Sequence, residues 1–246
     1  WWNDLWLNES FATFMSYLSM EQATRFQSGW QDFNASLKNW AMTQDQLITT
    51  HPIAGKVRDT DETFLNFDGI TYGKGASVLK QLVATIGLEG FKEGMRQYFR
   101  TYAYKNATLN NFLESLEQGS GQQLREWSKL WLETSSLNTI SAQWDASETN
   151  ITEIELIQTA PENYPTIRPH TLEVALVNPI NNVISSIKAV LTEQQTKIPI
   201  EINHPKPSLV FPNYNDHGYA KISLDQDSIN FVKANLETIT DSLLRQ

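Results

Sequence analysis

Two residues stand in surroundings that suit chemistry, Glu9 and Tyr72. Glu9 lies in Trp1-Trp2-Asn3-Asp4-Leu5-Trp6-Leu7-Asn8-Glu9-Ser10-Phe11-Ala12. Trp2, Leu5, Trp6 and Glu9 recur there at helical spacing and share one stripe. A carboxylate in line with two indoles and a leucine is expected on a buried face. An ionised group there costs several kcal/mol unless it is paired, hydrogen-bonded or bound to a metal. Two readings are open: an ion pair with a distant Lys or Arg, or a metal ligand carried on a rigid helix. Tyr72 heads a second stripe with Ala76, Leu79, Val83 and Ile86, and its plain reading is a core tyrosine satisfied by one hydrogen bond. Gly73 and Gly75 beside it each cost a helix about 1 kcal/mol, which a plain core helix does not need, and they permit close backbone approach.

Other chemistries find little support. The four histidines, His51, His170, His204 and His217, include no i, i+4 pair, and three of them adjoin a proline. The chain therefore cannot build a two-His, one-Glu zinc site from a helix of its own, and each histidine reads as structural or exposed. There is no Gly-x-Ser-x-Gly nucleophile turn and no glycine-rich phosphate loop.

The stretch Trp1 to Ala12 resembles the segment that follows the zinc motif in zinc aminopeptidases of the aminopeptidase N and puromycin-sensitive type, the gluzincin family. In that family a His-Glu-x-x-His helix supplies two zinc ligands and the general base. A Glu in an Asn-Glu-(Gly/Ser)-Phe-Ala context supplies the third ligand. Asn8-Glu9-Ser10-Phe11-Ala12 matches that context, so the resemblance gives Glu9 the metal-ligand role. Tyr72-Gly73-Lys74-Gly75-Ala76 is similar to the family's Tyr-x-Lys-Gly-Ala signature, whose Tyr hydroxyl hydrogen-bonds the oxyanion of the reaction. Tyr72 is accordingly the catalytic candidate, while Lys74, Gly75 and Ala76 read as helix packing. The His-Glu-x-x-His and the amine-anchoring Gly-Ala-Met-Glu-Asn motifs are both absent from the sequence. The resemblance thus implies a fragment that starts just after the first motif and is inactive alone. The parent enzyme would use zinc to remove N-terminal residues from a peptide substrate. Two alternatives stand beside this: an epoxide-hydrolase-like member of the same family, and a non-catalytic helical and β-sandwich interaction module in which Glu9 is only ion-paired.

Composition bounds these readings. At 40% apolar and 19% charged, the 246-residue chain is ordinary for a globular protein. Its net charge of -9, with no Lys/Arg-rich stripe, argues against a nucleic-acid partner. No apolar run is long enough to span a membrane. The absence of cysteine excludes disulfides and Cys-ligated metal, and fits a reducing, cytoplasmic setting.

The elements that must position Glu9 and Tyr72 occupy the first half. After the opening helix, Phe26, Trp30, Phe33, Leu37 and Trp40 suggest helix from Met20 to about Leu47. An acidic loop follows from Arg58 to Asp68, then helices over about 71–86, 90–104, a short one capped by Thr108 and closed by Gly119, and 120–133. Beyond residue 140 the period changes to two. Ile154/Leu156, Leu172/Val174/Leu176, Ile187/Ala189/Leu191, Ile198/Ile200/Ile202 and Ala220/Ile222/Leu224 each read as a strand with one polar face. A helix then runs from Asp225-Gln226-Asp227 through Ile239. The expected fold class is an α+β multidomain fragment. Residues 1–139 would be the incomplete helical C-terminal lobe of a thermolysin-like catalytic domain. Residues 140–246 would be a small antiparallel β-sandwich with a C-terminal helix leading toward the remaining, helical domain of the parent chain.

Overall fold

The computed structural model describes residues 4–55, 57–178 and 184–246. The chain divides into two compact units, Trp1–Ser136 and Leu137–Gln246. The first is a helical lobe and the second a β-sandwich, an α+β arrangement.

In the helical unit, α1 (Leu5–Ala23) carries Glu9. Its buried row is Trp6, Ser10 and Phe14. Glu9 therefore sits half-buried at the margin of that row rather than in its centre, and Trp2 lies outside the described residues. The expected helix over 20–47 is broken twice. α1 runs on to Ala23, and a loop then precedes α2 (Gly29–Phe33), a π-helical turn (Asn34–Lys38) and α3 (Asn39–Gln44). The three-or-four spacing of the aromatics persists through a π turn, so periodicity alone could not reveal it. The acidic loop contains a short helix, α4 (Thr60–Leu65), because the Asp59 carboxylate accepts from the Glu62 amide at 2.9 Å as its N-cap.

A second π-helical turn, Ile70–Lys74, leads directly into α5 (Gly75–Ile86). From Gly75 to Leu82 every residue of α5 is buried, which makes it the central element of the unit. Gly87, at φ +78°, ends it and opens α6 (Leu88–Tyr102). α7 (Leu109–Ser120) starts from a reciprocal capping box between Thr108 and Asn111 and ends at the left-handed Gly121, slightly later than Gly119 suggested. The last helix, α8 (Arg125–Leu132), begins five residues later than expected, since residues 121–124 are extended or turn-like after the α7 cap.

The second unit has a four-stranded sheet, ordered β5-β2-β1-β7, and a three-stranded sheet, ordered β4-β3-β6. The strands are β1 (Asn138–Ala146), β2 (Ile151–Thr159), β3 (His170–Val177), β4 (Ile184–Leu191), β5 (Gln195–Lys197), β6 (Leu209–Phe211) and β7 (Ala220–Ser223). All pairings are antiparallel except β1 with β7, which is parallel. Ile140, Ile154 and Leu156 of one sheet meet Leu172, Val174, Leu176 and Val210 of the other in an apolar core. The alternating Ile198, Ile200 and Ile202 do not form a strand. Pro199 has no N–H to donate, so pairing stops after Lys197 and the Ile198 amide bonds the Ile154 carbonyl at 2.9 Å. Ile202 points fully into solvent. α9 (Gln226–Asn235) starts from Asp225, whose Oδ1 accepts from the Asp227 and Ser228 amides, both at 3.0 Å. It stops at Asn235 and tightens into a 3-10 turn (Leu236–Thr238) before Ile239, so the expected helix is one turn too long. Among the described residues, no helix is long and apolar enough to cross a membrane.

Candidate active site

Glu9 and Tyr72, far apart in sequence, meet in the folded lobe. The Glu9 carboxylate lies close enough to the Tyr72 phenol to raise its proton affinity. Three features bring them together. The Ser10 hydroxyl, next to Glu9, donates to the carbonyl of Thr71, next to Tyr72, at 2.7 Å in a buried hydrogen bond. Gly75 packs on Ser10 so closely that a Cβ at Gly75 would overlap the Ser10 hydroxyl. Gly73 lies equally close to the Leu37 carbonyl and Ala41, so the two π-helical turns approach each other through a missing side chain. The glycines flanking Tyr72 thus serve close approach, on one side to the helix that carries Glu9.

The start of the Tyr72 turn is fixed by Asp68. Its Oδ1 accepts from the amides of Ile70 at 3.0 Å and Thr71 at 3.1 Å, while Oδ2 meets His51 Nε2 at 2.9 Å. His51 Nδ1 in turn contacts the Pro52 carbonyl at 2.8 Å. Both partners of the imidazole are acceptors, so the doubly protonated form satisfies both. The Asp68 contact lifts the His51 pKa above its ordinary value, against the opposing effect of burial. The Phe67 ring lies against Tyr72, centroids 6.3 Å apart, and limits how the phenol can swing.

The electrostatics suit a proton donor. Burial pushes the Tyr72 phenol above its ordinary pKa, and the Glu9 carboxylate adds to the rise. Tyr72 therefore holds its proton throughout the neutral range. Glu9 pairs with no Lys, Arg or His among the described residues, so the ion-pair alternative finds no partner there. A half-buried carboxylate beside a neutral phenol keeps lone pairs for a cation. It fits one ligand position of a zinc ion. Among the described residues, no group of three or more His, Asp or Glu is gathered for a metal.

The histidines are structural. His170 is fully buried at the start of β3, His204 Nε2 meets the Ser185 hydroxyl at 2.8 Å, and His217 Nε2 lies 3.4 Å from Glu173. Sequence reasoning missed Ser10 and Asp68. Asp68 had a visible signal, an Asp placed three residues before the amide it caps. Ser10 had none, since one small hydroxyl on a helix usually bonds its own turn.

Residues 1–131 match the Peptidase family M1 domain. Across its whole length the chain is 38% identical to an aminopeptidase N of Streptomyces lividans, covering 30% of that protein. It is 41% identical over 61% of its length to a probable aminopeptidase 2 of Sulfurisphaera tokodaii, and 30% identical over 98% to a human glutamyl aminopeptidase, covering 19% and 24% of those proteins. The chain spans less than a third of the length of these curated relatives. The chain belongs to peptidase family M1.

Proposed function

We propose that this chain is part of a zinc-dependent aminopeptidase that removes N-terminal residues from peptides, with Glu9 as one metal ligand and Tyr72 as the oxyanion donor. The observation that carries the reading is the buried hydrogen bond from the Ser10 hydroxyl to the Thr71 carbonyl, which brings the neighbouring Glu9 and Tyr72 together so that the carboxylate acts on the phenol. When bound, zinc would polarise the scissile carbonyl and activate water. Tyr72 works beside it as a neutral donor. Its phenol, kept protonated by burial, donates to the oxygen that gains charge as the carbonyl is attacked. A donor aimed at developing charge interacts weakly with the ground state and strongly with the transition state. Glu9 is carried beside that donor by α1.

Residues 1–139 are assigned to the helical part of the catalytic domain, of thermolysin-like type. Residues 140–246 are assigned to the following β-sandwich. On this assignment the 246-residue chain by itself is inactive and retains no stoichiometric zinc after dialysis against a weak chelator, because one carboxylate is too poor a site. The absence of cysteine goes with a cytoplasmic setting.

The test uses the full-length enzyme. Tyr72→Phe keeps the ring and its packing and removes only the hydroxyl. It should lower kcat by about a hundredfold, leaving KM and zinc content unchanged. Glu9→Gln should lose zinc and activity together. Unimpaired kcat in Tyr72→Phe would remove Tyr72 from the mechanism, and full zinc retention in Glu9→Gln would remove Glu9 from the metal.

A further inference from the structure

Lys74 closes the same π-helical turn that carries Tyr72, and it is fully buried. Its Nζ forms an ion pair with Asp45 Oδ2 at 2.9 Å, and neither side chain is exposed. The ammonium also donates to the carbonyl of Ser136 at 3.0 Å and, at 3.4 Å, to that of Thr134. On the other side of the pair, Asp45 Oδ1 accepts from the Ser136 amide at 2.9 Å and from the Thr50 hydroxyl at 2.6 Å. Both backbone groups of Ser136 are thus held by one buried ion pair. Ser136 needs holding, since it sits at φ +69°, in the left-handed region that non-glycine residues avoid.

Three roles compete for such a lysine. A reactive amine needs access, and this one has none. A contribution to stability alone is a poor account, because buried ion pairs are commonly replaced by apolar residues at no loss. Positioning is left, and the geometry says what is positioned. A π turn contains one residue more than the α-helix it interrupts. If the turn reverted to α-helix, the residues before it would rotate by about 100° around the axis of α5. Tyr72 would then leave Glu9. Lys74 ties the end of the turn to a point outside its own helix, while Asp68 ties its start.

We propose that Lys74 is a positioning residue: through Asp45 and Ser136 it holds the π-helical turn in register, and so keeps the Tyr72 phenol beside Glu9. The inference rests on the reading of Tyr72 as the oxyanion donor, and the experiment separates the two.

In the full-length enzyme, Lys74→Met combined with Asp45→Asn removes both charges without stranding either, and the carboxamide introduced by the second change keeps an acceptor for the Ser136 amide. Kinetics on an aminoacyl arylamide should show kcat reduced by at least about tenfold, with KM and zinc content within about twofold of the parent. The same change made in Tyr72→Phe should cost less than about twofold, because the group through which Lys74 acts is already gone. Equal losses in both backgrounds, or none in either, overturn the proposal. A crystal structure of the double variant gives a second, activity-independent reading: Tyr72 should have left Glu9, and an unmoved phenol overturns the proposal. If Tyr72→Phe alone keeps full kcat, the mechanism assigned to Tyr72 fails, and that structure still decides whether Lys74 sets its position.

Discussion

In the helical unit a lysine and an aspartate are wholly buried together, two π-helical turns face each other across Gly73, and Gly75 touches a serine. In the sandwich unit the space between the sheets, from Ile140 to Ala220, is filled by aliphatic side chains at regular period-two spacing. Buried polar groups occur there too, but they lie at strand ends, in connections and on α9. Asn138, for example, donates to the Thr166 carbonyl at 2.7 Å and secures a connecting loop. One unit breaks local rules in its centre and the other only at its rim. Departures from ideal local structure persist where something outweighs their cost, and functional sites are the usual reason. In the helical unit the departures converge on Tyr72.

The contrast is sharpest in how each core should respond to volume. Leu156→Ala, in the middle of β2 and fully buried, deletes aliphatic contacts and leaves a cavity, with an expected loss of about 2–5 kcal/mol in unfolding free energy. Denaturant titration with an unchanged m-value would measure it. A loss under about 1 kcal/mol would mean the sandwich core collapses around the gap and is less rigid than its packing implies.

Gly73→Ala probes the helical unit by the opposite change. On propensity alone alanine would stabilise a helix by about 1 kcal/mol. Here the new methyl would overlap the Leu37 carbonyl oxygen and press on Ala41, and a backbone oxygen cannot rotate out of the way. The net expectation is a loss of about 1–3 kcal/mol, the usual result of overfilling a packed site. A rise in melting temperature would show that the two π-helical turns separate freely, and their approach could then no longer be credited with orienting Tyr72.

These two tests also mark what could be read before folding. Leu156 was legible, because alternation along Ile154 and Leu156 specifies which face is inside. So were helix ends such as Gly87 and the Thr108 cap, while motif resemblance singled out Tyr72 and Glu9 as candidates. The π-helical turns were not legible, since aromatics at 26, 30, 33 and 40, with Leu37 between them, fit an α-helix equally well. Lys74 read as ordinary packing because nothing in a lysine's neighbours announces a buried aspartate far away in sequence. β1 passed for a boundary, and β6 is only three residues long and has no period to display. In the opposite direction, Ile198, Ile200 and Ile202 had the period but not the donors, owing to Pro199.

The smallest expected effect concerns the outer anchor of the Tyr72 turn. His51 and Asp68 are mostly shielded, with side chains 29% and 20% exposed. The His51 pKa is raised, chiefly by the Asp68 contact and further by the Pro52 carbonyl, with burial opposing and Lys74 a weak opposing charge. A group whose pKa is raised by folding binds its proton more tightly in the native state. Its contribution to stability is complete below the ordinary histidine value, about 6.5, and fades as pH rises through the raised native value. Because the pair is partly solvated, that contribution is expected to be about 1 kcal/mol. His51→Gln removes the titration and keeps a side-chain donor. The melting-temperature gap between parent and His51→Gln should therefore be widest near about pH 5.5 and close toward about pH 8, cancelling whatever other groups do over that range. A gap independent of pH would mean that the imidazole stays neutral in the folded protein and that Asp68 caps the Tyr72 turn without its help.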